Sequence, residues 1–166
     1  MPGSVKHGKE EIKRFITSQS DIKVICDVGC GEGTYPLLLG KGYEYIGIEI
    51  FEPYIAKFGL KKLYKQVIVG DIHELMLIQQ VPKADCIIFG DVLEHLKKNK
   101  ALYVLEKALE IYKHVIVSVP IGHYHAKIHY GNKYEAHISE WHTRDIKDLA
   151  DWKQRFFIKQ MGIFCI

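Results

Sequence analysis

Three glycines at alternate positions in Asp27-Val28-Gly29-Cys30-Gly31-Glu32-Gly33, followed by Thr34 and Pro36, give this sequence its clearest means of holding a ligand. Glycine tolerates positive φ and has no side chain to keep a ligand off the backbone, so a glycine turn after a strand exposes peptide groups for binding. The spacing departs from the dinucleotide pattern G-x-G-x-x-G, because the third glycine is Gly33 and Thr34 stands where that pattern requires glycine. Charge points the same way. Asp27 and Glu32 would set two carboxylates beside a pyrophosphate. A ligand bearing an ammonium and a sulfonium would instead gain up to about 4 kcal/mol per close unit pair in a surface-like dielectric. The competing structural reading makes Asp27 an acceptor for loop amides and the glycines a tight turn.

Three further acids stand at the ends of β-branched runs: Glu49 in Tyr45–Ile50, Asp71 after Val69-Gly70, and Asp91 in Phe89-Gly90-Asp91-Val92-Leu93-Glu94-His95-Leu96. Asp71 and Glu74 also fit capping-box spacing, so a helix-start role competes with a ligand contact there. A second candidate region runs from Pro120 to His142, long for a strand-to-helix connection and holding five of the nine histidines. Its aromatic and imidazole groups supply stacking faces, hydrogen bonds and general bases. Three readings are ranked in order: an acceptor-binding lid, a metal site from His123, His125, His129, His137 and Glu135, and a polar surface loop. No H-E-x-x-H or fixed four-ligand spacing occurs, so no metal site is assigned. The catalytic candidates are His137 and His123, then Tyr134.

The elements that must position these residues follow from hydrophobic patterning. Short β-branched runs at Val24–Val28, Tyr45–Ile50, Val67–Val69, Cys86–Phe89 and Val115–Val119 read as buried strands. Helix-length segments separate them at about 36–40, 53–64, 72–80 and 99–112, with Pro36 and Pro53 near helix starts. Such alternation predicts a parallel sheet covered by helices on both faces. In 99–112, Leu102, Leu105, Leu109 and Tyr112 mark the expected sheet-facing stripe. Arg155–Lys159 and Ile163–Ile166 are expected to form an antiparallel hairpin around Met161 and Gly162, and an amphipathic helix at about 8–19 is expected to close over the site. The expected fold is a three-layer α/β sandwich with a mostly parallel seven-stranded sheet and an antiparallel C-terminal hairpin strand, in a single domain spanning 1–166.

Composition bounds the function. At 166 residues, 48% hydrophobic and 26% charged with a net charge of +3, the chain is expected to be globular and is too mildly basic to name a polyanionic partner. The opening MPGSVKHGKE lacks an apolar secretory region and no stretch suits a membrane span, so the expected location is cytoplasmic, without a membrane partner. Cys26, Cys30, Cys86 and Cys165 show no CxxC spacing, and the three in or beside strongly apolar runs are read as small buried hydrophobes.

DVGCGEG at 27–33 and YIGIEI at 45–50 resemble the D-x-G-x-G-x-G loop and second-strand acid of the class I S-adenosylmethionine-dependent methyltransferases, in the Rossmann-like superfamily. The resemblance covers about residue 20 to the C-terminus. It implies S-adenosylmethionine as cofactor, released as S-adenosylhomocysteine, with Asp27, Gly29, Cys30, Gly31, Gly33, Glu49, Ile50, Asp71, Ile72 and Asp91 at its site. Glu49 would accept both ribose hydroxyls, Asp71 the adenine amino group with Ile72 over the ring, and Asp91 would contact the methionine end. Glu94 and His95 are read as fixing the local turn, and NKYEAHISEWH at 132–142 is similar to a late-loop pattern of small methyltransferases. The expected activity is methyl transfer to a small molecule or glycan. The alternatives are an RNA or protein acceptor, contacted through Lys61, Lys62, Lys65, Lys97, Lys98 and Lys100 if it bears phosphate, or a catalytically idle cofactor-binding subunit.

Overall fold

The computed structural model describes residues 8–122 and 131–166. The β-branched runs form one sheet of seven strands: β1 (Val24–Val28), β2 (Glu44–Glu49), β3 (Gln66–Val69), β4 (Cys86–Gly90), β5 (His114–Pro120), β6 (Gln154–Ile158) and β7 (Met161–Cys165). Their order is β3-β2-β1-β4-β5-β7-β6, with β7 antiparallel to both neighbours and every other pairing parallel. This is the expected mostly parallel sheet closed by an antiparallel hairpin. The helices are α1 (Lys9–Ser18), α2 (Thr34–Leu39), α3 (Pro53–Lys57), α4 (Ile72–Leu77), α5 (Lys98–Ile111) and α6 (Thr143–Lys147). Among the described residues, no helix is long and apolar enough to cross a membrane.

Both faces of the sheet are covered, which is why the central strands read as continuous apolar runs rather than alternating ones. Along β5, Val115, Val117 and Val119 pack in the layer of α4 and α5, while Ile116 joins Ile12, Phe15 and Ile16 of α1 on the other face. α1 is therefore a core element rather than a mobile cover for the site. His114 is also structural: its ring meets Asp21 at 3.0 Å and the Ile166 carbonyl at 3.2 Å. The four cysteines are buried and unbridged.

Register aligns the carboxyl ends of the strands, with Val28 opposite both Ile48 and Phe89, and Gly90 opposite Ser118. From β1 the chain winds outward to β2 and β3, then returns to β4 on the other side of β1. The loops after β1 and β4 consequently part, and open α/β sheets bind ligands at such a switch point.

Several boundaries differ from the sequence reading. The segment 53–64 breaks after Lys57, where Gly59 takes φ 63° and a short 3-10 turn, Leu60–Lys62, follows. The segment 72–80 stops as a helix at Leu77, with Gln79 at φ 55°. On α5 the fully buried residues are Ala101, Val104, Leu105 and Ala108, so the face is rotated from the leucine stripe and Leu102 and Leu109 lie at its margins. The hairpin turns at Lys159 and Gln160, while Met161 and Gly162 belong to β7. Gly162 is a packing glycine, since a Cβ there would lie 2.9 Å from Ile121.

Gly33 precedes α2 at φ 77°, and an added Cβ would approach Leu63 Cδ1 to 2.4 Å. Left-handed backbone costs a non-glycine residue about 1–2 kcal/mol. Gly33→Ala is expected to lose at least that much stability in chemical denaturation, and an unchanged midpoint would show that the loop relaxes freely.

Candidate active site

A cavity of about 520 Å³ opens at the switch point. Its floor is the glycine loop. The N–H groups of Gly29 and Cys30 both donate to the Ile48 carbonyl, at 2.8 and 3.1 Å, and Gly33 N–H closes a turn on the Cys30 carbonyl at 2.7 Å. Gly29 and Gly31 hold φ at 62° and 45°. A Cβ at Gly31 would meet nothing nearer than the Gly29 carbonyl oxygen at 3.6 Å, so the space before this peptide belongs to the cavity. The Cys30 side chain instead turns inward beneath Gly47, and burial pushes its thiol far up.

Glu49, at the end of β2, is buried and divides its carboxylate between two backbone donors: Gly31 N–H to Oε2 and Phe51 N–H to Oε1, both at 2.9 Å. Each oxygen keeps a second lone pair for a ligand. Burial raises its pKa and these two hydrogen bonds oppose the rise. Asp71 caps α4, accepting from His73 N–H at 2.8 Å. The capping box is not completed, because Glu74 pairs with Lys100 and His73. Ile50, Asp71 and Ile72 line the same cavity.

Asp27 and Asp91 show what the sequence reading missed. Asp27 is 2% exposed and accepts the Tyr64 hydroxyl. Burial pushes its carboxyl to about 7, against the pull of that hydroxyl and of Lys9. Lys9 enters from α1, itself 6% exposed, with Nζ 3.0 Å from the Tyr35 hydroxyl and 3.5 Å from Asp91 Oδ2. Burial alone would lower the Lys9 pKa, yet Tyr35 and Asp91 hold it above its ordinary value. Asp91 also accepts from Ser118 Oγ at 3.1 Å and sits at φ 60°, a conformation that aspartate tolerates better than most residues. The pocket is therefore not simply anionic, because a buried cation stands behind its acidic wall and pairs with Asp91. The signal for Lys9 was present: it lies at i, i+3 and i+7 with Ile12 and Ile16, a charge on the buried stripe of a helix.

The opposite wall comes from 131–142. Asn132 is buried and its side chain accepts from Tyr134 N–H at 3.0 Å, while the Tyr54 hydroxyl donates to Glu135 at 3.1 Å. Tyr134 and His137 line the cavity. His123 lies outside the described residues. At the far end of the segment Trp141 is wholly buried, with Lys98 Nζ 3.6 Å above its ring, so it anchors the wall rather than facing the cavity. Of the expected cofactor residues, Gly33 is the one that does not line the cavity.

Next to Asp91, Glu94 is buried with its Oε1 3.9 Å from His137 Nε2, and the rings of His95 and His137 stand 4.8 Å apart. Burial pushes the Glu94 carboxyl well up and pulls the His95 imidazole down toward its neutral form.

A family model described as a methyltransferase domain matches residues 6–154. No curated protein matches the sequence. Among solved structures, a SAM-dependent methyltransferase from Archaeoglobus fulgidus is 23% identical with a TM-score of 0.64, over 85% of this chain and 64% of that one. The magnesium protoporphyrin IX methyltransferase of Synechocystis, with bound SAM, is 15% identical with a TM-score of 0.69, over 98% of this chain and 84% of that one. The N-terminal domain of EvdMO1 with SAH bound is 11% identical with a TM-score of 0.67, over 98% and 80%. At these identities the likeness is one of fold. This chain spans just under two thirds of the Archaeoglobus protein.

Proposed function

This chain belongs to the methyltransferase-domain family, within the class I S-adenosylmethionine-dependent methyltransferases, and from that premise we propose that it methylates a small molecule or glycan. The observation that carries the reading is the convergence of Glu49, Asp71 and Asp91, each at a strand end, on one cavity floored by the glycine loop. Those residues fit S-adenosylmethionine: room before Gly31, carboxylate lone pairs on Glu49, and apolar walls at Ile50 and Ile72. The cofactor supplies a methyl group already activated on a sulfonium. What remains for the protein is alignment and exclusion of water, together worth several kcal/mol.

In this reading Glu49 takes the ribose hydroxyls on the lone pairs that Gly31 and Phe51 leave, and Asp71 takes the adenine amino group. Asp27 and Asp91 face the cationic end, with Lys9 behind the wall holding Asp91 in place. Tyr134 and His137 face the acceptor, and His137 is placed to take its proton. A small acceptor is supported by the closeness of the 131–142 wall, where Tyr54, Asn132 and Glu135 are tied together. Lys97 and Lys100 on the cavity lining favour a second reading, a phosphate-bearing acceptor such as RNA. Against it, Lys98 is engaged by Asp145 and Trp141, and Lys65 by Glu44.

Calorimetry tests the cofactor and mass spectrometry the acceptor. S-adenosylhomocysteine is expected to bind with one site per chain and NADH not at all; NADH binding without S-adenosylhomocysteine binding overturns the reading. An acceptor panel incubated with S-adenosylmethionine is then expected to yield a methylated small product. A methylated RNA with no small product would select the second reading.

A further inference from the structure

We propose that Glu94, His95 and His137 form a binding site for one divalent transition-metal ion on the wall of the cavity. One potential ligand atom from each lies within 4.8 Å of the other two. Metal–ligand bonds of about 2.1 Å place neighbouring donors about 3–3.5 Å apart, so the three close on an ion with roughly 1 Å of side-chain movement. The Glu94 to His137 separation of 3.9 Å is too long for a hydrogen bond and suits two donors sharing an ion.

A second observation is independent of that spacing. Glu94 Oε2 is inaccessible and has no hydrogen-bond partner among the described residues, in a side chain that is 1% exposed. A carboxylate oxygen buried without a partner is costly, and an ion is one of the few groups that explains it.

The backbone holds the donors together. The Glu94 carbonyl accepts from both Ile138 and Ser139 N–H, at 2.9 and 3.1 Å, and Ser139 Oγ donates to the Leu93 carbonyl at 3.2 Å. This clamps 136–139 onto the turn that carries Glu94 and His95. The Ala136 carbonyl lies 3.1 Å from His95 Nδ1. A carbonyl can only accept, so Nδ1 carries the proton and Nε2 the lone pair. Metal-binding histidines are oriented by such a contact.

Two imidazoles and one carboxylate suit zinc, manganese, iron or cobalt better than magnesium or calcium. Three protein donors facing a cavity leave coordination positions for water or an oxygen-bearing ligand. The site shares His137 with the methyl-transfer reading: with an ion on its lone pair His137 cannot take the acceptor's proton, so the metal site replaces that one role and leaves the cofactor contacts as they are. It also differs from the cluster of His123, His125, His129, His137 and Glu135 weighed from sequence.

Cobalt(II) titrated into the chelator-stripped full chain tests it, read by visible absorption and calorimetry without any turnover. About one equivalent is expected to bind. Glu94→Gln and His137→Ala, each checked for folding by circular dichroism, are expected to weaken binding at least tenfold. The combined His123→Ala, His125→Ala and His129→Ala variant is expected to bind as the parent does. If Glu94→Gln does not fold, the partly accessible His137→Ala decides alone. No cobalt binding, parental affinity in folded His137→Ala, or loss only in the triple variant would each overturn the proposal.

Discussion

Glu49→Ala is expected to weaken S-adenosylhomocysteine binding at least tenfold, about 1.4 kcal/mol. A hydrogen bond to a charged group contributes about 1.5–3 kcal/mol, so two ribose hydroxyls on one carboxylate set a scale of about 3–6 kcal/mol, which begins near a hundredfold. Water entering the vacated space recovers part of this, which sets the lower figure. The same substitution removes the acceptor of Gly31 and Phe51 N–H, so the loop loses the bonds that present its peptide to the cavity. Stability should therefore fall as well, by about 1–3 kcal/mol for donors left without a protein partner. Glu49→Gln separates the two effects. Its remaining carbonyl oxygen can serve one backbone donor but not both, and its amide nitrogen repels the other, so affinity should recover only in part. Calorimetry on each variant, beside its thermal midpoint, gives the answer. A folded Glu49→Ala protein that binds the nucleoside as tightly as the parent would remove Glu49 from the site.

How much of this was legible in the sequence depended on the range of the interactions. Four of the five parallel strands stood out because each is an apolar run buried on both faces, and the fifth, β3, kept its β-branched pattern although it lies at the sheet edge and is not buried as expected. The glycine loop and the acids after β1 to β4 stood out because strand order in such sheets brings carboxyl ends together. Short-range breaks were less visible: nothing in the periodicity of 53–64 reveals that Gly59 adopts positive φ and splits the helix. The β6–β7 turn misled because Gly162 looks like a turn glycine, whereas it is small to admit Ile121. Contacts across long chain separations were hidden altogether. His114 meets Asp21 across 93 residues, and His95 meets Ala136 across 41, so what these two histidines do could not be read from their neighbours in sequence.

Lys9 carries the most consequence for function, because it changes the electrostatics on which the cofactor reading began. Asp27 was expected to make the pocket negative. In the fold it is enclosed, bonded to Tyr64 and near a buried ammonium, while burial keeps its carboxyl protonated up to about pH 7. The negative charge there is conditional on pH. A cationic ligand end would favour the ionised form, and Lys9 and the Tyr64 hydroxyl favour it already, but in the free protein those two do not offset the burial.

The pH dependence of stability exposes this directly. Below about pH 4 Asp27 is protonated in both states and contributes nothing. Between its ordinary value of 3.8 and about 7 the unfolded chain releases the proton while the native chain keeps it. The native state then binds more protons, so stability falls as pH rises through this window and levels off above it. The full contribution is up to about 4 kcal/mol, at 1.36 kcal/mol for each tenfold step. Asp27→Asn removes the titration while leaving an oxygen to accept the Tyr64 hydroxyl. In urea denaturation at pH 5 and pH 8, the parent is expected to lose about 3 kcal/mol more than the variant between the two values. Glu49 and Glu94, also raised by burial, act in the same direction but remain in both proteins, so the difference isolates Asp27. Parallel pH curves for the two proteins would mean that Asp27 is ionised throughout, with the Lys9 ammonium and Tyr64 hydroxyl outweighing its burial. In that case the pocket would be anionic at every physiological pH.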